Sequence, residues 1–270
     1  MSGLNELRAV IFDWAGTTVD FGSRAPMGAL VEVFRRFGVA ISIAEARAPM
    51  GLPKRDHIAA LMTDAAIAVR WKSQHGAAPV EADIDHVYAQ FVPLNAAVVA
   101  DYADLIPGLL PVVEALRAAR VKIGSTTGYT RDIMARLAPV ASRAGYAPDN
   151  LVCAGDLSAG RPTPLMMYRC FADLGVHPPW RVVKVDDTEP GIAEATAAGS
   201  WAVGVTLSGN GCGLTRSELA AISSEARDAI RDSAAASLLR AGAHATIDSV
   251  ADLLTALTAL AVRIRRGERP

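Results

Sequence analysis

The sequence predicts an α/β fold, a doubly wound parallel sheet of Rossmann-like type with an inserted helical cap. Three observations lead there. Short Val- and Ile-rich runs, the pattern of strands buried on both faces, occur at 9–12, 121–125, 151–153, 182–185 and 201–205, with a sixth at 245–247. From Val121 onward they alternate with segments of helical periodicity at 131–137, 164–174 and 190–198, which is βαβ repetition. Between the first strand and Val121 lie about 80 residues of helical pattern, Phe21 to Ala100, far longer than an ordinary crossover. The expected division is therefore a core of residues 1–20 and 101–270 with a cap of 21–100. The cap is expected to hold helices at 29–37, 55–69 and 84–99, and Pro107-Gly108 to open the helix that returns to the sheet. Farther on, the Ala-rich stretch around 220–245 is helix-forming.

Composition narrows the function classes. The 270 residues are 51% hydrophobic and 20% charged, with 27 Lys+Arg against 28 Asp+Glu, so disorder and fibrous classes are excluded. A near-zero net charge gives no long-range field for nucleic acid or an anionic membrane, and the basic end (Arg263, Arg265, Arg266, Arg269) reads as a solvated helix terminus. The first apolar stretch is cut by Asp13, and the run 253–262 is about half of the ~20 residues a membrane span needs, so a cytoplasmic protein is expected. Cys153, Cys170 and Cys212 are scattered, and no histidine pair has zinc spacing. A metal here is expected to be a hard cation held by carboxylates.

The chemistry-bearing residues follow the strands. Asp13 ends the first, in Asp13-Trp14-Ala15-Gly16-Thr17-Thr18-Val19-Asp20, where a carboxylate beside a glycine and hydroxyls suits a nucleophile next to a phosphate cradle. A capping aspartate in a βα turn would look the same. The second strand ends Gly124-Ser125-Thr126-Thr127-Gly128-Tyr129, offering hydroxyls and amides to a phosphoryl oxygen. Gly160-Arg161-Pro162 places a cation after the third. Asp186-Asp187-Thr188 ends the fourth, and two adjacent acids at a buried strand end are best explained by a bound cation. In open α/β sheets the ligand lies beyond the carboxyl ends of the strands, where a helical insertion would sit as a lid.

This order of motifs resembles the haloacid dehalogenase superfamily of aspartyl-phosphate-forming phosphotransferases. With Met50-Gly51-Leu52-Pro53-Lys54-Arg55-Asp56-His57, it resembles more narrowly the phosphonatase family, which acts on phosphonoacetaldehyde, and the likeness runs from about Ala9 to Leu254. The resemblance implies a Mg2+-dependent hydrolase in which Asp13 attacks phosphorus and Lys54 forms a Schiff base with the aldehyde. His57 would move a proton or position water. Met50, Thr126, Thr127, Gly128, Tyr129 and Arg161 would contact substrate, and Asp13, the Ala15 carbonyl and Asp187 would hold the metal. It also implies a small-molecule phosphonate as partner, no nucleic acid or membrane, and a homodimer. One departure carries information. The superfamily usually has a second acid two residues after the nucleophile, where this chain has Ala15. An ordinary phosphatase or phosphomutase, the alternative reading, would lose roughly 10²–10⁴-fold without that acid, whereas a carbon leaving group needs an electron sink such as an iminium. Arg161 stands where the superfamily commonly has Lys, and Gly191 where many members have another acid; Asp186 is the candidate to supply that charge.

Overall fold

The computed structural model describes residues 3–270. Six strands, β1 (Ala9–Phe12), β2 (Lys122–Thr130), β3 (Val152–Ala154), β4 (Val182–Asp186), β5 (Trp201–Val205) and β6 (Ala245–Ile247), form one sheet in the order β3-β2-β1-β4-β5-β6. Each neighbouring pair is parallel. All residues of β1, β3, β4 and β5 are buried, as strands covered by helices on both faces must be. Between β1 and β2 run α1 (Ala25–Arg36), α2 (Ile43–Arg47), α3 (Lys54–Thr63), α4 (Ala65–His75) and α5 (Glu81–Val98). The crossovers and the C-terminal part hold α6 (Leu109–Ala118), α7 (Arg131–Arg143), α8 (Leu165–Leu174), α9 (Glu189–Ala197), α10 (Arg216–Ala221), α11 (Ser224–Arg240) and α12 (Leu253–Arg265). The expected α/β fold class is the one observed.

Two local expectations differ from the structure. The single helix expected over 55–69 is broken at Asp64, whose backbone turns extended (ψ 133°) and whose carboxylate accepts from Ala66 N at 2.9 Å and Ile67 N at 3.1 Å, capping α4. A short acid that can satisfy two free amides ends one helix and starts the next. The second strand runs past Ser125 to Thr130, with a register break against β3 between Thr127 and Thr130. That irregularity carries Thr127, Gly128 and Tyr129 over the sheet's carboxyl edge.

Two apolar clusters separate the helical segment from the sheet. Met27, Leu30, Val33, Phe34, Ile58, Leu61 and Phe91, from α1, α3 and α5, pack together in one. Strand residues such as Val10, Phe12, Val183 and Val203 belong to the other, which Ala96 and Val99 join at the end of α5. Among the described residues, no helix is long and apolar enough to cross a membrane.

Candidate active site

β1 lies between β2 and β4, so the chain departs to opposite sides of the sheet there, and the crevice of an open α/β sheet forms at that point. Asp13 follows β1, with its backbone N held by Val185 O at 3.0 Å and only 6% of its surface exposed. The turn after it needs glycine: Gly16 has φ +84°, and a Cβ there would lie 2.2 Å from Asp187 Oδ2. Thr18 Oγ1 donates to the carbonyls of Asp13 and Trp14, fixing the loop.

Arg161 reaches the same point from beyond β3. Its Nη2 donates to Asp13 Oδ1 at 2.7 Å and to the Thr126 carbonyl at 2.9 Å, and lies 3.2 Å from Asp186 Oδ2, while Nε meets Glu194 Oε2 at 3.2 Å. Lys184 Nζ lies 3.0 Å from Asp186 Oδ2 and donates to Thr126 Oγ1 at 2.7 Å, and that hydroxyl donates to Glu194 Oε2 at 2.9 Å. All of these side chains are buried. Burial by itself would lower the Arg161 pKa, but Asp186, Asp13 and Glu194 hold it above its ordinary value. A guanidinium so fixed stays charged and presents a planar donor set to anionic oxygens.

The two adjacent acids are separated by their partners. Asp186 Oδ1 accepts from Thr188 N at 3.0 Å and Thr188 Oγ1 at 2.7 Å, and its other oxygen faces the two cations. Burial raises its pKa, but Arg161 and Lys184 outweigh that and hold it below the usual carboxylate value. A Cβ at Gly191 would fall 2.0 Å from the Asp186 carboxyl carbon, so this carboxylate fills the space that another acid's stem would need. Among the described residues Asp187 accepts only from neutral donors, Asn210 N at 2.7 Å and Thr17 Oγ1 at 3.3 Å. Its pKa is pushed well up by burial and then by Asp13 and Asp186, and Asp13 is raised to about 6 by burial and by Asp186. Oxygens of Asp13, Asp186 and Asp187 lie within 4.8 Å of one another. Asp13, Asp186 and Glu194 share one guanidinium and the Lys184 ammonium, and Asp187 beside them has no cationic partner among the described residues. A divalent cation fits that imbalance and that all-oxygen donor set.

The helical segment closes the site from above. Lys54 opens α3, is 4% exposed, and its Nζ lies 3.5 Å from Met50 Sδ and 5.6 Å from the Tyr129 ring centre. No carboxylate pairs with it among the described residues. Burial lowers its pKa to about 8, even though Asp13 pulls the other way. One cavity is walled by Asp13, Ala15, Met50, Lys54, Thr127, Gly128, Tyr129 and Arg161, all expected from sequence, together with Ser23, Pro26, Gly51 and Thr188, which were not. The Tyr129 hydroxyl is buried without a partner, which leaves a donor free.

Three expected site residues stand behind this wall. Thr126 serves Arg161, Lys184 and Glu194 and does not line the cavity. Asp187 lies to one side, under Asn210. His57 is fully buried within the helical segment, with Nε2 2.8 Å from the Ala46 carbonyl and Nδ1 unpartnered. Burial, and then the nearby Lys54, lowers its pKa to about 3, so the ring is neutral. Lys184 and Glu194 were missed by sequence reasoning. A lysine inside the apolar run Val182-Val183-Lys184-Val185 was a readable signal, since an unpaired charge cannot sit in a doubly covered strand. Glu194, one acid on a helix, gave none.

Residues 7–199 match the family model of haloacid dehalogenase-like hydrolases. A protein of Paraburkholderia phytofirmans named phosphonoacetaldehyde hydrolase is 51% identical over 270 residues, covering 99% of this chain and all of the relative. The chain belongs to the phosphonoacetaldehyde hydrolase family. A family member from Salmonella enteritidis is 46% identical over 269 residues, 99% of this chain and all of its own. The crystal structure of a phosphonoacetaldehyde hydrolase-like protein from Oleispira antarctica superposes with a TM-score of 0.96 at 43% identity, covering 98% of this chain and 96% of its own. The family thus accounts for the fold and for the hydrolase class.

Proposed function

We propose that the protein hydrolyses the C–P bond of phosphonoacetaldehyde to acetaldehyde and phosphate. The observation that carries this reading is a buried lysine amine without a carboxylate partner, in one cavity with a strand-end aspartate and with a methyl group, Ala15, where an ester hydrolase would keep its acid. The names of the full-length relatives supply the substrate. In this mechanism Lys54 Nζ adds to the aldehyde carbon and water leaves, giving an iminium. An Asp13 oxygen attacks phosphorus as the C–P bond breaks, and the bonding pair moves onto carbon to form an enamine, with the iminium as electron sink. Protonation at carbon and hydrolysis release acetaldehyde and free Lys54, and water cleaves the aspartyl phosphate. Thr127, Gly128 and Arg161 hold the phosphonate oxygens, Met50 and Tyr129 flank the aldehyde, and neutral His57 braces α3 and, through its unpartnered Nδ1, is the candidate to take a proton from the lysine. Mg2+, held by Asp13, the Ala15 carbonyl and Asp187, would neutralise charge on the transferring group. Residues 21–100 serve as the cap, and the protein is read as a cytoplasmic homodimer on its likeness to the family.

Borohydride added with phosphonoacetaldehyde tests the reading. Irreversible inactivation and a reduced adduct on Lys54 in peptide mass spectra are expected. An adduct on Lys72, Lys122 or Lys184, or no adduct during turnover, removes the Schiff base. Turnover of an aryl phosphate ester but not of the phosphonate would favour the phosphatase or phosphomutase alternative.

A further inference from the structure

The loop after β5, Ser208-Gly209-Asn210-Gly211-Cys212-Gly213, touches the acid side of the site and the helical segment at once. On one side Asn210 N donates to Asp187 Oδ2 at 2.7 Å, and a Cβ at Gly209 would lie 2.4 Å from the Asp187 Cβ, so the loop wraps that carboxylate closely. On the other side it receives Arg47, the last residue of α2. Arg47 Nη1 donates to Asn210 O and Asn210 Oδ1, both at 3.0 Å, and to Gly22 O at 2.8 Å. Gly22 belongs to the connection between β1 and α1, and its own N donates to Ser208 O at 2.7 Å. The guanidinium lies flat on Gly213, where a Cβ would come within 2.8 Å of its carbon. At its base α2 is anchored in the helical segment by the ion pair of Glu45 with Arg70 on α4. Arg47 is therefore the arm by which one body grips a loop of the other, and the same asparagine that it grips fixes Asp187.

We propose that Arg47 is a positioning residue that couples closure of the cap to the setting of the Asp187 carboxylate through Asn210, resting on the reading of Asp187 as a metal ligand. With the cap closed, three acceptors are satisfied and the Asn210 amide is aimed at Asp187. When the cap lifts, Nη1 leaves both Asn210 acceptors and the glycine-rich loop loses its brace. The metal then meets a better-placed carboxylate in the closed form, and by reciprocity metal binding favours closure. Lys54 rides on the same helical segment, so amine and metal site are assembled by one movement.

Calorimetric titration with Mg2+, with no phosphonate present, tests this in the wild-type chain and in Arg47→Ala. Removal of a group that orients a ligand is expected to weaken Mg2+ binding roughly tenfold. Amide exchange at Gly22–Ala25, slowed by Mg2+ in the wild type, is expected to become insensitive to it. Arg47→Lys, whose compact ammonium lacks the guanidinium's reach, should fall between the two. Arg55→Ala, which breaks only exposed pairs with Glu81 and Asp85 on α5, should bind Mg2+ like the wild type. Equal Mg2+ affinity in folded Arg47→Ala overturns the proposal, and Arg47→Lys is judged by the same criterion if the alanine variant does not fold. A wild-type chain that binds no Mg2+ would instead overturn the metal reading.

Discussion

The floor and the roof of the cavity treat buried charge in opposite ways. On the floor, Arg161, Lys184, Asp186, Glu194 and Thr126 satisfy one another at distances of 2.7–3.7 Å, so each charge has an opposite neighbour. In the roof, Lys54 and His57 are equally buried, yet among the described residues the amine meets only a thioether and an aromatic face, and one imidazole nitrogen has no partner. Buried charge that is paired stays charged and rigid, whereas buried charge left unpaired is shifted toward its neutral form. The floor can hold an anion in place; the roof can supply a free amine. Division of the two conditions between two packed bodies lets the same cavity contain both.

The sharpest way to break the comparison is to restore a permanent charge in the roof. Lys54→Arg keeps the cation and abolishes the free amine, since a guanidinium does not deprotonate near neutrality. Turnover should fall by at least about 10⁴-fold, the scale for removing a covalent nucleophile, and borohydride trapping should vanish. Partial activity in a steady-state assay would mean that Lys54 acts as a charge.

The floor is tested by unpairing it. Glu194→Gln removes the carboxylate that faces both Arg161 and Lys184, and each of these then keeps Asp186 as its acidic partner. A loss of about 1.5–3 kcal/mol in urea unfolding is expected, the scale for losing buried hydrogen bonds to charged groups that keep another partner. A change below about 1 kcal/mol would show that the network carries no tension of this kind.

These contrasts explain what the sequence made legible. Strand-end residues could be read because β1, β4 and the start of β2 are short runs that stop at polar residues: Asp13, Thr127 and Asp187 were singled out in this way, and Asp13 and Thr127 line the cavity while Asp187 lies to one side. The break at Asp64 was hidden because Ile58, Leu61, Met62, Ala65 and Val69 keep one helical period in the sequence, whereas α4 buries Ile67 and Trp71 and leaves Val69 exposed. The floor was half legible. Arg161 stands in a motif, but Glu194 reaches the site only because α9 packs its inner face on β4, and Gly191 gains meaning only when Asp186 is seen filling its space. Arg47 was not singled out, because its partners are the carbonyls of Gly22 and Asn210 and the Asn210 side chain, far away in the chain. Pairing between distant loops leaves no periodicity to read.

The depressed lysine gives a pH signature. With a folded pKa of about 8, the free-amine fraction rises about tenfold per pH unit up to that value and then levels off. The initial rate of borohydride trapping should therefore climb by roughly fiftyfold from pH 6 to 8 and only about double from there to pH 10. A rate still rising in proportion above pH 9 would place Lys54 at its ordinary value and make the roof no different from solvent.

The smallest effect expected is at His57. Its pKa is lowered from 6.5 to about 3, so between these values the unfolded chain binds a proton that the folded chain does not. Stability should then be independent of this residue above pH 6.5 and fall as pH drops below it, by up to about 1.4 kcal/mol per unit. His57→Gln removes the titrating ring. Urea unfolding at pH 7, 6 and 5 should show the wild type losing more stability than the variant over that interval, with the two slopes merging above pH 7. For the same reason the wild-type activity profile should show no inflection near 6.5 that the variant lacks. Parallel stability curves would mean that the ring is charged or solvated in the folded chain, and the roof would then contain one unpaired group, Lys54, instead of two.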